Sequence, residues 1–238
     1  MAAPPAVPLV PGVWRMRLVG DVVNGFVLRD DDGQVALVDF GLKWSPRRVD
    51  AALAHIGAGA SDVTRLVLTH AHPDHAGGAA EVARRTGRAV EVHADDAAAV
   101  AAGRVPPRDR SALLGRLMAR LPGGGFEAPP VAATFTDGQV LAIAGGLRVV
   151  HTPGHSPGHV SLLHEPTGLL ITGDAIFNVR GLRWPVRAFC TNFALTTRTA
   201  RRLGELDYSL AAFTHGPEIR DRPRDAIRRF LKDHPPVG

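Results

Sequence analysis

The sequence predicts an α/β fold, a four-layer αββα sandwich with two mixed sheets facing each other and helices outside. Two observations carry that expectation. In each half of the chain short apolar, β-prone runs come first and helix-patterned segments follow. Residues able to ligate metal also stand just after apolar runs and beside glycines, as they would if strand ends met at one edge of such a sandwich. No short-period repeat interrupts the pattern, and residues 1–238 read as one domain.

The elements follow in order. Residues 13–39 alternate short β-prone runs with turns; 22–28 and 34–39 read as strands around the Asp30-Asp31-Asp32-Gly33 hairpin. Residues 46–56 are helix-patterned, with Ser45 as N-cap and Gly57 as stop. A short buried strand is expected at 66–69, a helix at 75–86 ended by Gly87, a strand at 89–92 and an Ala-rich helix at 95–102. Residues 103–133 differ. A helix is expected at 109–121, with Leu113, Leu114, Leu117, Met118 and Leu121 on one face, before a Gly-rich tail. That segment is either a lid over a site or a helix packed on the core. Strands are then expected at 140–144, 147–151, 159–163, 169–172 and 210–213. Helices are expected at 197–206 and 223–232, the last with Asp221 as cap and Pro223 in its first turn.

Composition narrows the class. A 45% hydrophobic content is ample for a core, and the single cysteine, Cys190, excludes an internal disulfide framework. No uninterrupted apolar run approaches the roughly 18 residues of a membrane span, and the first residues lack a basic region followed by a long apolar stretch. A soluble cytoplasmic protein with no membrane partner is the expectation. The net charge of +5 comes largely from arginines at 104–120 and 220–232. These read as solvated helix faces rather than a nucleic-acid surface, because no stacking aromatics interleave them.

The run His70-Ala71-His72-Pro73-Asp74-His75 packs three imidazoles and a carboxylate into six residues, directly behind Leu66-Val67-Leu68-Thr69. His155, Asp174 and His215 each follow another apolar run and border a glycine. Seven potential ligands exceed what one tetrahedral zinc needs. A pair of metals sharing a bridging carboxylate uses all seven. Imidazole suits zinc, iron and nickel alike, so the donor set leaves the metal open.

Five pieces now stand in order: Val38-Asp39-Phe40-Gly41, the His-rich run, Thr152-Pro153-Gly154-His155, Thr172-Gly173-Asp174 and Thr214-His215-Gly216. Through them the chain resembles the metallo-β-lactamase-fold superfamily of metallohydrolases, on its glyoxalase II-like, general hydrolase side. The resemblance implies that His70, His72 and His155 hold one metal, that Asp74, His75 and His215 hold a second, and that Asp174 bridges them. It implies that Asp39 orients a ligand imidazole. The implied cofactor is two divalent ions, zinc first, with iron or manganese as alternatives. The implied reaction is hydrolysis of an ester, thioester, lactone or amide in a small-molecule substrate, by a water made acidic between two cations. Asp74 would orient that nucleophile and pass a proton to the leaving atom.

Two other classes stay open: a mononuclear-iron oxygenase resembling the persulfide dioxygenases, and a nuclease. Phe177 stands where lactonases of this fold often carry a tyrosine, and Arg183 where glyoxalase II enzymes carry an arginine. Arg180, Arg183 and Arg187 lie close enough behind Asp174 to bind a substrate carboxylate, which would make the substrate anionic. Gly154-His155-Ser156-Pro157-Gly158 fits the pattern of a serine nucleophile elbow, but that motif needs a following helix and a β-prone run follows instead. Cys190, with no basic neighbour in sequence, reads as a buried inert thiol. His93, His151, His159 and His164 read as structural, His159 with a hydrogen bond beside the ligands.

Overall fold

The computed structural model describes residues 3–109, 111 and 124–237. The first sheet has seven strands in sequence order: β1 (Ala6–Val10), β2 (Val13–Val19), β3 (Val23–Arg29), β4 (Val35–Val38), β5 (Val63–Val67), β6 (Val90–His93) and β7 (Val131–Phe135). It is antiparallel through β4 and parallel from β4 to β7. The parallel steps need crossovers, and helices supply them. These are α1 (Pro46–His55), α2 (Pro73–Ala76) with α3 (Ala79–Thr86), and α4 (Ala94–Ala101). The second sheet runs β14-β11-β10-β9-β8, from β8 (Val140–Leu141), β9 (Leu147–His151), β10 (Val160–His164), β11 (Leu169–Ile171) and β14 (Leu210–Ala212). A two-stranded ribbon, β12 (Phe177–Asn178) and β13 (Leu182–Arg183), precedes α5 (Phe193–Thr199), and α6 (Pro223–Asp233) follows β14.

Period-two alternation sorts the apolar residues into three cores. In β3 and β4, Phe26, Leu28, Ala36 and Val38 face the second sheet and meet Leu147, Val160, Leu162, Leu169 and Ile171. Their neighbours Val27, Val35 and Leu37 point the other way, onto Val49, Leu53 and Val82 of α1 and α3. On the outer face of the second sheet Leu163, Leu170 and Ala211 pack on Ile227, Phe230 and Leu231 of α6. The result is the four-layer αββα order expected from sequence. Each fully buried Leu, Val or Phe contributes roughly 1.5–3 kcal/mol.

Several boundaries differ from expectation. The helix expected at 75–86 is two helices broken at Gly77-Gly78, and the one expected at 197–206 starts earlier, at Phe193, and ends in a 3-10 turn over Ala200–Gly204. Ser45 and Asp221 do not cap their helices. Ser45 has helical backbone angles and no cap hydrogen bond, and the residue before Pro223 is Arg222, with φ +43°. The edge strands β1 and β7 were not expected. The helix expected at 109–121 lies outside the described residues except at Asp109 and Ser111, and the end of the 103–133 segment forms β7. Among the described residues no helix is long and apolar enough to cross a membrane.

Candidate metal centre

The strand ends of both sheets meet at one rim. Past β4 the chain turns at Asp39, with φ +58°. Past β5 it delivers His70 and His72, and Pro73 then starts the single turn of α2 that carries Asp74 and His75. The second sheet supplies His155 from the β9–β10 loop, Asp174 from the 3-10 turn after β11, and His215 just beyond β14. All seven expected side chains come together. Potential ligand atoms of His70, His72 and His155 lie within 4.8 Å of one another, as do those of Asp74, His75 and His215 and those of His70, His75 and Asp174. All but Asp74 are buried.

Hydrogen bonds fix which nitrogen each ring presents. Thr69 Oγ1 donates to Asp39 Oδ2 (2.7 Å), so it accepts from His70 Nδ1 (3.0 Å). His75 Nδ1 donates to Asp39 Oδ2 (2.8 Å), and His215 Nδ1 to the Val22 carbonyl (2.8 Å). With Nδ1 committed as donor, Nε2 is the atom through which His70, His75 and His215 can meet a cation once it is free of a proton. Those three atoms are buried without a hydrogen-bond partner. Each such orphan costs about 1–3 kcal/mol. His72 Nδ1 faces His155 Nε2 at 2.8 Å, a distance two lone pairs tolerate only with a proton or cation between them. The donor set therefore fits divalent cations.

Asp174 stands at the centre. Its Oδ2 faces His155 Nε2 (3.0 Å) and His70 Nε2 (3.8 Å); its Oδ1 faces His215 Nε2 (3.3 Å) and His75 Nε2 (3.4 Å). Burial opposes its charge, but the surrounding imidazoles outweigh burial and hold the carboxyl well below its usual range. Burial likewise opposes protonation of His155 and His215, and Asp174 reverses it, lifting His155 to about 10 and His215 to about 9. His70 and His72 go the other way, pushed well down by burial and by neighbouring imidazoles. Thr214 Oγ1 donates to Asp174 Oδ1 (2.8 Å), and the Asp174 backbone N–H donates to His159 Nε2 (2.7 Å). Gly173 permits that approach: it has φ +54°, and a Cβ there would lie 2.6 Å from His159 Nε2.

The sequence profile described as the metallo-beta-lactamase superfamily matches residues 18–215, which contain every one of these side chains. The chain belongs to the metallo-beta-lactamase superfamily. A structure of a family protein from Thermus thermophilus superposes with a TM-score of 0.71 at 26% identity, covering 95% of this chain and 80% of that one. The probable metallo-hydrolase YybB of Bacillus subtilis is 28% identical, over 83% of this chain and 82% of its own length. A hydroxyacylglutathione hydrolase of Anaeromyxobacter dehalogenans is 36% identical over 61% of this chain, which spans only 43% of that protein.

The superfamily motifs do not mark every residue that builds the site. Asp96, on α4, is fully buried. It accepts from Ala71 N (3.0 Å), Ser156 Oγ (2.6 Å) and Gly158 N (2.7 Å), so it ties the His70–His72 loop to the His155 loop. Its only signal in sequence is a place at a helix start, where acids are common anyway. The Ser156 hydroxyl is thereby held away from any nucleophilic role. Cys190 is buried as expected but has a basic partner brought from afar, since its Sγ lies 3.5 Å from His155 Nδ1. His159 is buried, with its basicity pushed down to about 3 by that burial, and it accepts from the Asp174 backbone rather than joining the candidate metal-holding groups. A fourth grouping, His93, Asp95 and His151, has a different character. The two rings stack at 3.9 Å and 18°, and His151 Nε2 donates to the Pro157 carbonyl. Their lone pairs lie in nearly parallel planes rather than converging on a point. His164 bonds Thr167 and the Ala144 carbonyl, a structural role as expected.

A cavity of about 390 Å³ opens over the centre. His72, Asp74, His155, Asp174 and His215 form its floor; Leu42, Pro73, Val105, Phe177, Val186 and Phe189 form walls, with Arg108. Arg180, Arg183 and Arg187 are not among the lining residues.

Proposed function

We propose that the chain is a hydrolase that holds two divalent cations and cleaves an ester, thioester, lactone or amide of a small molecule. The observation that carries this reading is the two-faced placement of Asp174, one oxygen toward each trio of ligands. His70, His72 and His155 would hold one ion, Asp74, His75 and His215 the other, with Asp174 shared. Imidazole and carboxylate donors admit zinc, iron or manganese, with zinc first. Bound there, such ions supply Lewis acidity and bring the pKa of a water toward about 7.

The chain's own groups do the rest. Asp39 and Thr69 fix the ring orientations of His75 and His70 through the hydrogen bonds described above. Asp74 is the one acid of the set that reaches the cavity with appreciable exposure. Burial opposes its ionisation, but His75 and His215 overcome it and hold the carboxyl below its usual range. Its Oδ2 faces His75 and His215, which leaves Oδ1 to accept a proton from water and return it to the leaving atom.

The names of two relatives make glutathione thioesters the first substrates to try. The test is a panel of thioesters, esters, lactones and β-lactams offered to the metal-replete protein. We expect turnover of at least one acyl substrate, abolished by a chelator and restored by added metal. Failure on the whole panel, or turnover indifferent to chelation, would overturn the reading.

A further inference from the structure

We infer that the cavity selects a substrate with an apolar acyl or aryl body and a carboxylate remote from the bond that breaks, and that Arg108 binds that carboxylate. The inference rests on the hydrolase reading above and names the substrate class of the same site. Apart from the five metal-facing residues, the cavity is lined by six apolar residues and Arg108. Such walls repel a polar body and leave one place for a charge. Arg108 is half-buried at the cavity wall, where its guanidinium can meet an anion, and its planar fork suits a carboxylate.

The position of Arg108 is fixed from its neighbour. The Asp109 backbone N–H donates to the Cys190 carbonyl (2.6 Å), and Asp109 Oδ2 accepts from Phe193 N (3.0 Å). The same segment is tied to the His155 loop, through Thr191 N to the His155 carbonyl and Asn192 N to the Gly154 carbonyl. The backbone beside Arg108 is thus held in register with the His155 loop. The Arg108 guanidinium lies over the Phe189 ring, 5.6 Å from the centroid, which supports one face of the fork, and its N–H groups make no hydrogen bond among the described residues. Among the described residues Arg108 makes no ion pair. Arg187, by contrast, is engaged, with Asp109 at 4.0 Å and the Ser111 hydroxyl at 2.9 Å. The stretch 110–123 contains no acidic residue. The arginines expected from sequence to bind a carboxylate therefore give way to one that read as part of a solvated helix face.

The test is calorimetric titration of zinc-loaded protein with straight-chain dicarboxylates of increasing length, each against the monocarboxylate of equal length. One carboxylate can face the metal centre while the other searches for Arg108. We expect the best dicarboxylate to bind about tenfold or more tighter than its partner. Arg108→Gln should erase that preference with zinc content unchanged, and Arg108→Glu should turn it toward the matched ω-amino acid. Arg180→Ala and Arg183→Ala should keep the wild-type preference. Absence of any preference in the wild type, its survival in Arg108→Gln, or an equal loss for both ligand types would overturn the proposal. Turnover of the whole panel of thioesters, esters, lactones and β-lactams, scored on the same preparations, separates the two readings. Charge preference without turnover would sink the hydrolase alone, and turnover without charge preference would sink the Arg108 assignment alone.

Discussion

Asp39 shows how much one side chain outside the ligand set can decide. It adopts a left-handed backbone that aspartate tolerates better than most residues. From there its carboxylate accepts from Thr69 N (2.8 Å), Thr69 Oγ1 and His75 Nδ1. Asp39→Asn keeps the shape but places an amide where an acceptor is needed. Metal affinity should fall roughly 10- to 100-fold, read by competition with a chromophoric chelator; unchanged affinity would refute the orienting role. Protonation gives a second prediction. His155 at about 10 and His215 at about 9 stand above their ordinary 6.5 in the ion-free fold. Their contribution is full below pH 6.5 and is lost as pH rises through 9 to 10. His159, at about 3, acts in the opposite sense, and its contribution is lost as pH falls below 6.5. Ion-free protein should therefore melt at its highest temperature near pH 6.5. Bound ions displace the protons on His155 and His215, so the alkaline decline should vanish in the loaded protein. Identical alkaline profiles with and without metal would contradict this. The grouping of the seven side chains was legible because four crowd into six residues behind an apolar run and the other three each stand between an apolar run and a glycine. Asp96 and Cys190 were not, because nothing local says which distant loop they touch.

Among the elements, α2 is the most constrained. It carries Asp74 and His75, and Gly77 lets it lie on the loop after β4: a Cβ at Gly77 would stand 2.1 Å from the Pro73 carbonyl and 2.8 Å from Lys43 N. The backbone N–H of Phe40 donates to the His75 carbonyl, closing the same contact. Gly77→Ala should cost about 1–3 kcal/mol and weaken the site that contains His75. Thermal melts and metal titration check both, and a variant equal to wild type in each would show that the close approach does not matter. Sequence periodicity ran a helix straight through this point because alanines flank the glycines. It also placed the helix after β13 too late, since the Asn192 side chain caps the turn by accepting from Leu195 N (2.9 Å). The edge strands β1 and β7 were missed because Pro8 and the prolines before Val131 obscure an extended run whose pairing partner supplies much of its definition.

At the scale of the molecule the site is a clasp between two sheets. The first sheet's side contributes His70, His72, Asp74 and His75, the second's His155, Asp174 and His215. Backbone bonds cross the same rim, Asn24 N to the Thr214 carbonyl (2.8 Å) and Val160 N to the Thr69 carbonyl (3.0 Å). The Asn24 amide adds bonds to the Phe213 and Gly216 carbonyls. The sandwich and its rim could be read from the order of strands and of candidate ligands. The cavity walls could not, because Leu42, the pair Val105 and Arg108, Phe177, and the pair Val186 and Phe189 come from four separate segments that share no pattern. Ions bound across such a rim stabilise the fold by mass action. Saturation of ion-free protein with zinc, followed by elemental analysis together with melting temperature, tests this account most directly. It predicts two ions per chain and a higher melting temperature, with His70→Ala and His215→Ala each retaining one ion. Saturation at a single ion, or at none, would contradict it.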